Sequence, residues 1–75
     1  MRLLRQSAVM DVTEQDALAV AERIRKMTEH FEAVESVGTA QDNVGHYVVV
    51  YTNAPVSRIP LRDGSVRIRQ VRTNR

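Results

Sequence analysis

The clearest structural signal in the chain is the segment His46-Tyr47-Val48-Val49-Val50-Tyr51-Thr52-Asn53. Residues 47–52 are β-branched or aromatic without a break, which predicts a β-strand. Since successive side chains of a strand point to opposite faces, both faces of this one are apolar. Its two faces carry Val48 and Val50 on one side and Tyr47, Val49 and Tyr51 on the other. We therefore expect it at the centre of a sheet.

An amphipathic helix is predicted to begin after Thr13, whose hydroxyl can accept from the free N–H groups of the first turn. Asp16 stands where a capping box prefers Glu or Gln. The apolar positions then recur with the period of a helix, at Ala17, Val20, Ala21, Ile24, Met27, Thr28 and Phe31. We expect this stripe to cover one face of the sheet.

Further strands are predicted on both sides of the central one. Ala33 to Ala40 reads as a strand, and the Asp, Asn and Gly of residues 41–45 favour a hairpin turn. Residues 56–61 alternate in polarity but contain Pro60, which belongs on an edge strand. Residues 1–10 alternate imperfectly and predict an edge strand or an extended arm.

The C-terminal residues allow two structures. Asp63-Gly64 is a preferred hairpin turn, and the following residues alternate as a strand over 65–71 with Val66 and Ile68 inward and Arg67 and Arg69 outward. The alternative is a short helix capped by Asp63 or Ser65. The strand is favoured because the apolar residues after Ser65 are β-branched. The fold class predicted is α+β, a single domain over residues 1–75 with one amphipathic helix packed on a three- to four-stranded antiparallel sheet.

Composition narrows the functional classes. The chain has 75 residues and no cysteine, which excludes disulfides, thiolate nucleophiles and cysteine-containing zinc sites. No apolar run suits a signal peptide or a membrane span, so we expect a soluble, cytoplasmic protein without membrane partners. A domain of this size buries only about 60 % of the surface that its unfolded chain exposes, so its stability is marginal. Self-association would add buried surface. The sequence predicts no cofactor and no metal site.

The charges are sorted along the chain. Residues 11–45 carry eight acidic against three basic residues, whereas residues 46–75 carry six arginines against Asp63. Arginine suits phosphate and carboxylate groups because its planar guanidinium can bind both of their oxygens. The basic C-terminal third therefore predicts a macromolecular binding surface, with Arg58, Arg62, Arg67, Arg69 and Arg72 as its candidate residues.

An aromatic and basic platform is predicted if Tyr47 and Tyr51 share a face with Arg67 and Arg69. Such a face suits single-stranded nucleic acid, since bases stack on tyrosine and arginines follow phosphates. The same residues suit a homodimer or a protein partner, because Tyr and Arg are enriched in interfaces. Both interpretations remain open at this point, as does a third, that these residues form an ordinary solvent-exposed surface.

His46 is the candidate catalytic residue, and the alternative is that it is an exposed histidine at the end of a strand, next to a turn, without a catalytic role. Gly45-His46-Tyr47 opening a strand, followed by Arg58-Ile59-Pro60 and preceded by a helix and a strand, resembles the HicA family of small mRNA-cleaving toxins. The resemblance covers about Thr13 to Leu61. It implies a double-stranded-RNA-binding-domain-like fold of helix, three strands and helix, with His46 as the catalytic base.

Three functional hypotheses follow. The first is a small non-enzymatic interaction protein, a regulator or inhibitor of the type that phages and mobile elements encode, which docks on another macromolecule and self-associates. The second is a nucleic-acid-binding module that uses the arginines of the C-terminal third. The third is a HicA-like ribonuclease toxin that uses His46.

Overall fold

One helix and four strands follow one another in the computed structural model, which describes residues 12–73. The predicted strand or arm over residues 1–10 lies outside that range. The helix α1 spans Glu14–Met27, and the strands are β1 (Val34–Gln41), β2 (His46–Thr52), β3 (Arg62–Asp63) and β4 (Val66–Arg72). The predicted α+β class is confirmed.

Helix α1 begins at the predicted N-cap. The Thr13 hydroxyl accepts from the Asp16 N–H at 3.2 Å, and the Asp16 carboxylate accepts from the Thr13 N–H at 3.4 Å, so Asp16 completes the capping box. The helix ends earlier than the apolar stripe suggested, at Met27 instead of near Phe31. The Thr28 N–H and hydroxyl both donate to the Ile24 carbonyl, and from there the chain turns towards β1.

The strand order is β1-β2-β4-β3, so β2 lies inside the sheet as predicted. Strand β1 runs antiparallel to β2, and β3 antiparallel to β4, but β4 runs parallel to β2. The expectation of a purely antiparallel sheet was therefore wrong. Residues 53–61 carry the chain back to the start of β2 without pairing as a strand, and the hairpin at Gly64 reverses it once more.

The predicted edge strand over residues 56–61 does not form. Pro55 and Pro60 lack the N–H that a strand needs, and pairing is limited to the two residues of β3. Val56 and Ile59 pack against the core instead. At the C-terminus, where the sequence allowed a strand or a short helix, the structure has the strand. Residues 66–72 form β4, and Gly64 adopts a φ of 63° in the hairpin turn before it.

The core lies between α1 and one face of the sheet. Val48 and Val50 of β2 are completely buried there, and Ile24 of the helix is 2 % exposed. Val66 and Ile68 of β4 face the same core, as their alternation predicted. Burying these side chains removes their apolar surface from water, which stabilises the fold. Helix α1, the one helix within residues 12–73, is too short and too polar to span a bilayer.

Candidate interaction surface

The sheet face opposite α1, here called the outer face, is formed by the alternate residues of every strand. The strand register places them in four columns: Ser36, Gly38 and Ala40 on β1; Tyr47, Val49 and Tyr51 on β2; Arg67, Arg69 and Val71 on β4; Arg62 on β3. The β2 column is a ridge of large side chains between small residues and arginines. The predicted shared face of Tyr47, Tyr51, Arg67 and Arg69 is therefore present.

Tyr47 is the point at which two arginines of β4 converge. The Arg67 guanidinium carbon lies 4.9 Å from the centre of the Tyr47 ring, and that of Arg69 lies 5.4 Å from it. A cation at this distance is attracted by the negative face of an aromatic ring. The arrangement restrains both guanidinium groups against the sheet.

Arg67 is held from a second side by Asp42 in the β1–β2 turn. Its two terminal nitrogens donate to the two carboxylate oxygens at 2.8 and 3.0 Å. Asp42 also accepts from the N–H groups of Val44 and Gly45. The hydrogen bond from Arg67 is the main cause that holds the pKa of Asp42 well below its ordinary value, and the two backbone N–H groups add to it.

This ion pair was missed by the sequence analysis, which treated Asp42 only as a turn residue. The turn assignment was correct, because the N–H groups two and three residues after Asp42 bond its side chain. No sequence signal connects Asp42 to Arg67, since the two residues are far apart in the chain and meet only through the packing of β4 beside β2.

The outer face is covered unevenly. Val49 at its centre is only 4 % exposed, whereas Tyr51 and Val71, paired across β2 and β4, are 38 % and 42 % exposed. No helix or strand formed by residues 12–73 packs on this face. Tyr51 and Val71 therefore form an exposed apolar pair beside Arg69.

The remaining candidate arginines do not form one patch. Arg62 lies on the outer face, and Arg72 ends β4 opposite Thr52. Arg58 belongs to the connection formed by residues 53–61 and borders a shallow cavity that Phe31 also lines. Within residues 12–73, no carboxylate lies within 4 Å of Arg58, Arg62, Arg69 or Arg72. The structure thus brings Arg62, Arg67 and Arg69 together and leaves Arg58 and Arg72 apart.

His46 lies away from the exposed part of the outer face. It occupies a core-side position at the start of β2 and lines a cavity of about 270 Å³ with Val12 and the residues of the β1–β2 turn. Its N–H donates to the Val12 carbonyl at 3.0 Å. Within the described chain, no three His, Asp or Glu side chains are grouped as metal ligands would be.

Gly45 is required at its position beside His46. Its φ is 145°, and a Cβ there would lie 2.9 Å from the Val12 nitrogen. The glycine before the histidine therefore has a local structural role, which is to admit Val12 next to the start of β2.

The resemblance to HicA implies a second helix after three strands. In this structure the corresponding residues form β4, and residues 12–73 contain one helix only. No family model, curated protein or solved structure matches the chain. The catalytic assignment of His46 remains a prediction.

Proposed function

We propose that this protein is a small non-enzymatic interaction protein, a cytoplasmic regulator or inhibitor that binds another protein through the outer face of its sheet. The observation that carries the proposal is the restrained cluster of Tyr47, Arg67 and Arg69 beside exposed Tyr51 and Val71. Tyr and Arg dominate the binding energy of many protein interfaces, and apolar side chains next to them exclude water.

Restraint of the arginines supports this function. Side chains that are already ordered lose less conformational entropy when they enter an interface. Arg67 is ordered by Asp42 and Tyr47 together, and Tyr47 also restrains Arg69. Arg69 keeps its charge available, because among residues 12–73 it has no carboxylate within 4 Å. The partner surface that fits is apolar with at least one carboxylate.

Nucleic-acid binding is the second candidate function. It is favoured by Arg58, Arg62, Arg69 and Arg72, whose charges are not paired within the described residues. Two features favour a protein partner over it. The ring of Tyr47 is already occupied by guanidinium groups, and the charge of Arg67 is neutralised by Asp42, so less of the platform remains for bases and phosphates.

The test compares two double variants with the wild-type protein in an affinity capture followed by quantitative mass spectrometry. Tyr51→Ser/Arg69→Ser removes one apolar and one basic side chain from the outer face. Leu18→Ser/Lys26→Ser is the matched control, because both of its residues are exposed on α1. A protein that binds wild type and control but loses at least about tenfold in affinity for the outer-face variant supports the proposal. Equal capture by all three would contradict it.

A second measurement separates the two functions. Fluorescence anisotropy with generic single- and double-stranded RNA and DNA is recorded at about 50 and 200 mM salt, because phosphate contacts weaken steeply over this range. We expect no binding at either concentration. Tight binding at the lower salt that disappears at the higher would favour the nucleic-acid module.

A further inference from the structure

We propose that the edge of β1 that faces away from β2 pairs with the same edge of a second copy, joining the two sheets into one across a two-fold axis at Thr39. The inference names an interface for the self-association expected of so small a domain. It extends the proposed docking function but depends on the backbone edge of β1, which is separate from the cluster of Tyr47, Tyr51, Arg67 and Arg69 on the outer face.

The hydrogen bonds of the β1–β2 hairpin show which backbone groups of β1 point outward. Asp42 and Gly45 exchange two backbone bonds, of 3.1 and 3.2 Å. In an antiparallel ladder, bonded and non-bonded pairs alternate, so Ala40 and Gly38 also bond to β2. Val37, Thr39 and Gln41 therefore direct both their N–H and their C=O away from β2, towards the edge.

Two other contacts agree with this assignment. The outward carbonyl of Val37 accepts from the Arg25 side chain at 3.0 Å. On β2, the N–H of His46 donates to Val12 instead of to β1. The outward groups of Thr39 and Gln41 bond to no residue in the range 12–73.

The two edges of the sheet differ in their protection. On the far side, β3 pairs with the start of β4, Leu61 accepts from the Ile68 N–H, and the Gln70 side chain bonds both backbone groups of Val56. On the near side, residues 36–41 contain no charge and no proline, and the register irregularity of β1 lies before them, between Val34 and Ser36. Charged residues, prolines and β-bulges are the features that usually keep an edge strand from pairing with another chain.

A second copy fits this edge by symmetry. With Thr39 opposite Thr39, the register places Val37 opposite Gln41 and Gly38 opposite Ala40, so the outward N–H groups meet outward C=O groups. The Val37 carbonyl already accepts from Arg25, and its second lone pair faces the Gln41 N–H of the other copy. No like charges face each other, because residues 36–41 are uncharged and the Glu35 carboxylate bonds Asn53 and Thr73 of its own chain. Facing threonines are a favourable cross-strand pair.

The pairing has a consequence for the outer face. The two-fold axis of an antiparallel strand pair is perpendicular to the sheet, so both outer faces lie on the same side of the dimer. The small residues Gly38 and Ala40 of the two copies would then floor one groove, with the Tyr47–Tyr51 ridge of each copy as its walls.

The test measures molar mass by sedimentation equilibrium from about 10 μM to 1 mM, a range that covers weak and moderate dimers. We expect the wild-type protein to reach twice its chain mass of 8.5 kDa. Two variants target the edge. Thr39→Pro removes an outward N–H that β2 does not use, and Gly38→Lys adds a charge where a Cβ meets no atom within 4 Å.

Each edge variant is expected to raise the dissociation constant of the dimer at least about tenfold. Leu61→Lys is the matched control, since it adds the same charge at a residue that is 80 % exposed and far from β1 in the sheet. Circular dichroism verifies that each variant is folded. If Thr39→Pro does not fold, Gly38→Lys alone decides.

Two outcomes would overturn the inference: a wild-type protein that stays monomeric throughout, and a dimer that Gly38→Lys leaves unchanged. In the first case, protection of the Thr39 amide from hydrogen exchange would indicate that another part of the same chain bonds this edge. Tyr51→Ser/Arg69→Ser leaves the dimer intact, so failure of the dimer and failure of partner docking are distinguishable.

Discussion

Arg67 of β4 and Asp42 of the β1–β2 turn form a bidentate ion pair, with hydrogen bonds of 2.8 and 3.0 Å. The same guanidinium lies over the ring of Tyr47. Asp42 thereby links the hairpin to the last strand and restrains the arginine on which the proposed interaction surface depends.

The pair is expected to contribute to stability as a unit. Asp42→Asn keeps an oxygen for the turn N–H groups but loses the charge, and Arg67→Gln loses the bidentate donor. Each is predicted to lower the melting temperature by a few degrees. The melting temperature of the double variant should fall by less than the sum of the two single decreases, because either substitution already breaks the interaction. Strictly additive losses in thermal unfolding would show that the pair is not coupled.

The same pair predicts a dependence of stability on acid. Asp42 has a lower pKa in the folded chain than the ordinary value of about 3.9, so the unfolded state takes up the proton first as the pH falls. The free energy of unfolding of the wild type should exceed that of Asp42→Asn by its full amount above about pH 5, and this difference should shrink from about pH 4 downward. Urea unfolding at several pH values measures it. Glu32→Gln, which removes an exposed acid outside this ion pair, is the control variant.

The two faces of β4 predict different costs of truncation. Ile68 is 3 % exposed in the core, so Ile68→Ala should lower the free energy of unfolding by about 2–5 kcal/mol through lost burial and the cavity left behind. Val71 on the outer face is 42 % exposed, and Val71→Ala should change it by about 0.5 kcal/mol or less. Chemical denaturation gives both values. A reversed order would mean that β4 presents the opposite face to the helix.

The three glycines should respond differently to alanine. Gly45→Ala would combine an unfavourable φ of 145° with a close approach of its Cβ to the Val12 backbone. We expect it to lower the free energy of unfolding by about 1–3 kcal/mol. Gly64→Ala meets only its φ of 63° and should cost about 1–2 kcal/mol. Gly38→Ala has open space and no positive φ, so it should be neutral or slightly stabilising. Thermal unfolding ranks them, and a costly Gly38→Ala would contradict the described edge.

Several elements were predictable from the chain because their signals are local. The period of α1, the Thr13 cap, the Asp-Asn turn and the run of residues 47–52 each depend on neighbours a few residues apart. The inward Val66 and Ile68 and outward Arg67 and Arg69 were also predictable, since alternation along a strand needs no knowledge of its partner. The coarse location of a Tyr and Arg surface followed from the same alternation.

The parallel pairing of β4 with β2 was not predictable in this way. Its direction depends on the path of residues 53–61, where two prolines prevent a strand but do not specify a return route. The same holds for the length of α1, because the chain leaves the helix at Thr28 before the apolar stripe ends.

Local sequence was enough to specify α1, β2 and β4, the faces that β2 and β4 bury, and the two turns that need Asp or Gly, because these follow from the stereochemistry of adjacent residues. Packing between distant segments placed β4 parallel beside β2, which brings Arg67 to Asp42 and to Tyr47, and left β1 with a single neighbour, β2, among the described strands. Strand order and strand direction depend on packing between segments that are distant in the chain, so no pattern among neighbouring residues specifies them.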